Sequence, residues 1–247
     1  MKLKGIIVGG TGSIGKKLVT VLNNEGIDIA AIGRDNKKMS NVKPNNNFLK
    51  FYDCDITDQK NSNITIRKII KDIKKIDFIV FAQGIAGITP TGSITENDWD
   101  KIFDINIKFS FLFAQQISNL MKKQKSGKII FLSSIHGTKT YPNRLVYAAS
   151  KSALDSVTRS MSIDLAKHNI SVNSVAPGQL MTTMQKKLIK KNPKLKSFFN
   201  NIKSSTPTQR FTTVDDVAEI IKQLILIKNN QLTGTIIHVD GGITNLV

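Results

Sequence analysis

Cysteine is nearly absent from this chain. Cys54 is the only one, so an intrachain disulfide is impossible and a four-cysteine metal site is excluded. A reducing compartment is the simple reading, and the expected location is cytoplasmic. Acidic residues are scarce as well: 18 Asp and Glu stand against 36 Lys and Arg, for a formal net charge of +18. Arginine supplies only 5 of those basic residues. Nucleic-acid readers draw on arginine forks and clustered charge. The lysines here are scattered, so the charge reads as a basic solvated surface, with no nucleic-acid role expected. It leaves room for steering of anionic substrates or of an acidic carrier protein. Long apolar runs are missing too. None approaches the roughly 20 residues of a membrane span, and no membrane role is expected. The first apolar run, Ile6-Ile7-Val8, is too short for a signal peptide and reads as a first strand. The three histidines, His136, His168 and His238, are dispersed, and no metal site is expected.

What remains is a chain of 247 residues, long enough for a substantial core and expected to form one α/β domain over 1–247. After the first strand comes Gly9-Gly10-Thr11-Gly12-Ser13-Ile14-Gly15, then a run over 16–24 with Leu18, Val19 and Leu22 at helical spacing. Glycines spaced by three permit a tight turn and close approach of backbone to ligand. The N–H groups of the following helix suit a pyrophosphate. A second strand is expected over 27–32, ending at Gly33-Arg34. An arginine at that point suits the 2′-phosphate of NADP, where an acidic residue would suit the ribose of NAD. NADP is therefore the preferred cofactor, with NAD as the alternative.

A polar loop is expected over 36–47 and a third strand over 48–52. Asp55 after it either accepts from an adenine amino group or caps the next helix, a task open also to Asp58 and Ser62. That helix covers 64–74, and a fourth strand 76–81. Ala82-Gln83-Gly84-Ile85-Ala86-Gly87 follows as a small-residue loop, at the strand end where open parallel sheets bind ligands. Thr95 and Asp98 have the spacing of a capping box for a helical stretch over 96–124. Asn106 lies inside it. Asparagine is a poor interior helix residue, so a local irregularity or a held water is expected there.

A fifth strand over 127–134 ends in Ser133-Ser134. A polar link over 140–144 leads to a helix beginning near Tyr147 and carrying Leu154, Val157, Met161 and Leu165 as an apolar stripe. Tyr147 and Lys151 are four apart and share a face of that helix. A phenol with an ammonium behind it is a candidate acid/base pair. His136, two residues past Ser134, is either a substrate contact or a plain loop residue. A sixth strand over 171–175 turns at Ala176-Pro177-Gly178 into an insertion over about 179–210, expected to hold the substrate pocket or a lid. A helix opens at Thr213 or Asp215, and a strand over 235–239 closes the sheet. The fold class expected is an α/β doubly wound parallel sheet of about seven strands with helices on both faces.

The glycine turn, Asn106, Ser134, the Tyr147-x-x-x-Lys151 pair, Pro177-Gly178 and the closing Gly234-to-Gly242 segment occur in an order and spacing that resemble a classical short-chain dehydrogenase/reductase. The resemblance covers nearly the whole chain and implies a Rossmann-type fold. It departs at two places. The glycine turn is closer to the Gly-x-x-Gly-x-x-Gly of the extended branch, and Phe81-Ala82-Gln83-Gly84 stands where the family has Asn-Asn-Ala-Gly.

The resemblance implies catalytic roles for Asn106, Ser134, Tyr147 and Lys151. It implies cofactor contacts from Gly9, Thr11, Gly12, Ser13, Ile14, Gly15, Arg34, Asp55, Ile56, Ala82, Gly84, Tyr147, Lys151, Pro177, Gly178, Leu180 and Thr182. In it Tyr147 is the acid in ketone reduction, and Lys151 lowers the tyrosine's pKa. Ser134 holds the substrate oxygen, and Asn106 orders a water leading from Lys151 to solvent. The activity implied is NAD(P)(H)-dependent interconversion of a carbonyl and a secondary alcohol.

The chain is similar to 3-oxoacyl-[acyl-carrier-protein] reductases, which implies an acyl-thioester substrate on an acidic carrier met by Lys125 and His168. The alternatives are a sugar or polysaccharide-precursor reductase and, remotely, a non-catalytic dinucleotide-binding module. A homotetramer or homodimer is the assembly implied.

Overall fold

A computed structural model describes residues 2–45, 47–181, 190 and 195–246. Seven strands form one sheet: β1 (Lys4–Val8), β2 (Asp28–Gly33), β3 (Leu49–Asp53), β4 (Phe78–Phe81), β5 (Gly127–Leu132), β6 (Ile170–Pro177) and β7 (Ile236–Val239). Their order is β3-β2-β1-β4-β5-β6-β7, and every pairing is parallel. The order runs outward both ways from β1, so the chain reverses direction across the sheet between β1 and β4. The strands' carboxyl ends diverge there and leave a crevice.

Alternate residues of each strand face opposite layers. Ile6, Val8, Ile79, Phe81, Ile129 and Phe131 face α2 (Gln59–Ile73), α4 (Phe109–Gln124) and α5 (Leu145–Ala166). Ile7, Ile29, Phe78, Val80 and Ile130 face α1 (Ser13–Asn24) and α7 (Val214–Leu226). With both faces covered, β2, β4 and β6 are buried along their whole lengths; β4 accordingly runs wholly apolar, while β6 also buries Ser171, Asn173 and Ser174. The doubly wound, Rossmann-like sheet of the sequence reading is the one found. Two further helices are α3 (Glu96–Phe103) and α6 (Leu195–Ser205).

Local signals decide several boundaries. Thr95 and Asp98 close a reciprocal capping box on α3, and Thr213 and Asp216 do the same on α7. Asp58 caps α2 by accepting from Asn61 N at 3.0 Å, so the helix opens at Gln59, ahead of the expected start at 64. β4 begins at Phe78 and not at Ile76. The side-chain amide of Gln124 takes the backbone of Ile76, accepting from its N–H at 3.1 Å and donating to its carbonyl at 2.8 Å. The expected loop at 36–47 opens with a short helical turn at Asn36–Met39 that buries Met39. Between α3 and α4, Asp104–Lys108 form a π-helical turn with Asn106 inside it, the irregularity expected there. Among the described residues no helix is long and apolar enough to cross a membrane.

Candidate active site in the crevice

A cavity of about 560 Å³ occupies the crevice at the carboxyl ends of the strands. Its floor is the turn from β1 into α1. Gly9 adopts φ +79°, and a Cβ on it would meet Gln83 N at 2.6 Å. A Cβ on Gly15 would collide with the carbonyl oxygen of Gly9. Both positions need glycine so that the turn can pack against the loop after β4 and the helix can start close to the sheet. Gly12 stands at the N-cap of α1 and offers no side-chain cap, and the helix has no acidic residue in its first turn. Its N-terminal amides thus carry a positive partial charge that no side chain of its own satisfies.

Arg34 and Asp55 stand at one end of the cavity. Arg34 is well exposed, with Nη1 3.7 Å from Asp55 Oδ2. Asp55 Oδ1 accepts from Thr57 N at 3.0 Å and from Thr57 Oγ1 at 2.8 Å. Partial burial works to raise the Asp55 carboxyl, but the two Thr57 bonds and Arg34 win and hold it below its ordinary value. Asp55 therefore closes its own turn, while Asp58 does the helix capping. Lys38, which the sequence reading passed over, also lines this end.

At the other end stand Ser134, Tyr147 and Lys151. Ser134 Oγ accepts from His136 N at 3.3 Å, which leaves the hydroxyl proton free to donate. The Ser134 hydroxyl lies beside the Tyr147 phenol. Burial raises the Tyr147 pKa, with Ser134 and then Arg144 acting against it, and the phenol stays protonated near neutrality. Lys151 is 3 % exposed. Its Nζ donates to Leu132 O at 2.7 Å and lies 5.8 Å from the Tyr147 ring centroid. Burial brings it down to about 8, partly opposed by Asp155. A second cation near the phenol is Arg144, three residues before Tyr147, whose charge also acts to lower the tyrosine's pKa. Arg144 is held there by donating to Gly87 O at 2.9 Å.

Asn106 is buried behind the loop after β4 and does not line the cavity. Its Oδ1 accepts from Ile85 N at 2.8 Å, and its Nδ2 donates to Ile85 O at 2.9 Å and to Ser150 Oγ at 3.0 Å. Both amide hydrogens are spent on protein, so any water it holds must use Oδ1. The side chain pins the loop so that Gly84 runs close to Lys151. A Cβ on Gly84 would stand 3.3 Å from Asn106 Oδ1 and 3.5 Å from Lys151 Nζ. Gln83, at the position where the family has alanine, adds a tie of its own by donating to Ser110 Oγ at 2.6 Å. The loop is thus anchored to the π turn and α4 from both sides.

Pro177, Gly178 and Leu180 complete the wall, with Gly178 N donating to Val239 O at 2.9 Å. Gly9, Thr11, Gly12, Ser13, Ile14, Ile56 and Ala82 line the cavity, whereas Gly15 packs beneath the turn. Thr182, and most of the stretch 179–194, lie outside the described residues. Cys54, Gln83, Arg144 and His136 also line the cavity. Of these, Arg144 could have been found from its position three residues before Tyr147. Cys54 and Gln83 carried no signal. Lys125 and His168 sit just before β5 and β6, where Asn169 Nδ2 donates to Lys125 O at 3.3 Å. That is the end of the sheet opposite the cavity.

A family model described as enoyl-(acyl carrier protein) reductase matches residues 9–244. The 3-oxoacyl-[acyl-carrier-protein] reductase FabG of Thermotoga maritima is 31% identical, over 98% of this chain and 99% of that protein. The L-xylulose reductase of Caenorhabditis elegans is 30% identical, over 97% of this chain and 95% of its own. A solved structure of ElxO with NADP bound superposes with a TM-score of 0.91 at 27% identity, covering all of both chains.

Proposed function

The chain belongs to the short-chain dehydrogenase/reductase family, and from that premise we propose that it reduces a carbonyl to a secondary alcohol with NADPH. The observation that carries this reading is the placement of Ser134, Tyr147 and Lys151 on one cavity with the glycine turn and Arg34.

The residues present suit a dinucleotide. The uncapped start of α1 and the Cβ-intolerant Gly9 and Gly15 form a cradle for a pyrophosphate. Arg34, with Lys38 near it, suits a 2′-phosphate. Ala82, Gly84, Tyr147, Lys151, Pro177, Gly178, Leu180 and Thr182 are assigned to the nicotinamide half, and Asp55 and Ile56 to the adenosine half. When bound, the dinucleotide supplies the hydride.

Ser134 donates to the substrate oxygen, where negative charge develops. Tyr147, kept neutral by burial, hands its proton to that oxygen. The Lys151 ammonium stabilises the phenolate left behind and leads toward solvent for reprotonation. Asn106 acts by fixing the loop beside Lys151. Rate falls at alkaline pH as Lys151 loses its charge.

The relatives' names support a 3-oxoacyl thioester on an acidic carrier as one substrate class. Because Lys125 and His168 lie opposite the cavity, a carrier docked on them would deliver its acyl chain to another subunit's site. The apolar groove between α4 and α5, with Ile107, Phe111 and Val157, supports a homodimer or homotetramer. A second reading, a sugar or small hydroxyketone, is supported by the L-xylulose reductase relative.

The test is consumption of NADPH and NADH with a panel of ketones, ketoses and acyl thioesters. Turnover with a preference for NADPH is expected. Tight dinucleotide binding without turnover of any carbonyl would favour a non-catalytic binding module.

A further inference from the structure

His136 lines the cavity beside the proposed proton donor, yet the reaction assigns it no part. It sits in the short turn Ile135–Gly137 directly after Ser134. Its ring stands edge-on to Tyr147 with centroids 5.5 Å apart, and edge-on to Tyr141 at 5.4 Å. Two aromatic neighbours and the backbone bond to Ser134 fix its position.

The hydrogen bonds around Thr140 admit a tautomer that leaves Nε2 an acceptor. Thr140 Oγ1 lies 3.2 Å from His136 Nδ1 and donates to Tyr141 O at 3.3 Å. A threonine hydroxyl has one proton. With that proton on the Tyr141 carbonyl, Thr140 can only accept from the ring, so the imidazole hydrogen sits on Nδ1. The ring is neutral, because burial first and Arg144 second bring it down to about 4. Nε2 is then a bare lone pair, and among the described residues no hydrogen bond to it is present. Next to the Ser134 and Tyr147 hydroxyls, which donate, His136 then offers the wall an acceptor.

We propose that His136 selects the substrate by accepting a hydrogen bond from a hydroxyl on the carbon next to the reacting carbonyl. The proposal rests on the reductase reading above and chooses within it: α-hydroxy ketones are preferred over 3-oxoacyl thioesters. A 3-oxoacyl thioester has a methylene and then a thioester carbonyl beside its ketone. Neither donates, and binding it would bury Nε2 without a partner. A site built to accept from a substrate hydroxyl discriminates strongly against an analogue that lacks one. In the reaction the carbonyl π bond breaks, carbon gains the hydride and oxygen gains the Tyr147 proton. The nicotinamide is oxidised, and a vicinal diol leaves.

The experiment compares kcat/KM for acetoin, 2-butanone and acetoacetyl-coenzyme A with NADPH, in the wild type, His136→Phe and His136→Asn. The wild type is expected to prefer acetoin over 2-butanone by about tenfold or more. His136→Phe should bring that ratio close to one. His136→Asn, which retains an oxygen acceptor, should keep part of it, and it serves as the second probe should the phenylalanine disturb folding. An unchanged acetoin preference in both variants would overturn the proposal. So would a wild type that favours acetoacetyl-coenzyme A over acetoin, although the reductase reading would then stand. Absence of turnover on all three would overturn the reductase reading itself, and the proposal with it.

Discussion

Replacing Asn106 with alanine should cost both stability and turnover. The side chain is 2 % exposed and makes three hydrogen bonds, two to the backbone of Ile85 and one to Ser150 Oγ. Ser150 keeps a partner in the variant, because its hydroxyl also donates to Tyr147 O at 2.7 Å. The Ile85 N–H and carbonyl do not. At about 1 kcal/mol for each bond lost, and with water reaching the half-buried Ile85, the cost is about 2–3 kcal/mol. In a chain of this size each kcal/mol lowers Tm by roughly 2–4 °C, so a fall of roughly 4–12 °C is expected. Thermal unfolding followed by circular dichroism reads it directly. Ser150→Ala, which removes only the third of these bonds, should lower Tm by less. Turnover of Asn106→Ala at a temperature where it is folded should also fall, because the loop beside Gly84 and Lys151 has lost its anchor. A Tm within about 2 °C of wild type would refute the pinning role.

Two other outcomes can be checked. Arg34→Ala should weaken NADPH by about tenfold or more and leave NADH nearly unchanged, since a charge-assisted phosphate contact is lost only with the former; equal weakening in a fluorescence titration would remove the 2′-phosphate argument. His136 is held to about 4 in the folded chain against 6.5 in the unfolded one. Between those values the unfolded chain binds the extra proton, so the stability that His136 contributes is complete above pH 6.5 and is lost as pH falls toward 4. In His136→Phe the decline of Tm over that window should be shallower, and an unchanged slope would contradict a neutral, half-buried imidazole.

The fold was legible because its signals are local. Apolar strands, the glycine turn after β1, and the capping boxes at Thr95 and Thr213 each declare themselves within a few residues. The Tyr147–Lys151 pair was legible for the same reason, since helical spacing alone puts both on one face. Asn106 declared itself by being misplaced in a helix, and the π turn is the result. What escaped were relations between distant segments. Gln124 reaching back to Ile76 moved the start of β4, and Gln83 reaching Ser110 ties down a loop that the sequence showed only as a departure from the family. Arg144 was read as part of a polar link. Its charge acts on Tyr147 and His136 because the bond to Gly87 holds it over the cavity, 57 positions away in sequence. No periodicity encodes a contact of that kind.

The central claim is that Tyr147 moves the proton while hydride reaches the substrate carbon. The direct measurement is single-turnover oxidation of NADPH by wild type and Tyr147→Phe, with NADPH affinity measured separately by fluorescence. A general acid contributes about 10²–10⁴-fold, so turnover should fall by that factor while affinity stays within a few-fold of wild type. Near-normal turnover in Tyr147→Phe would contradict the account.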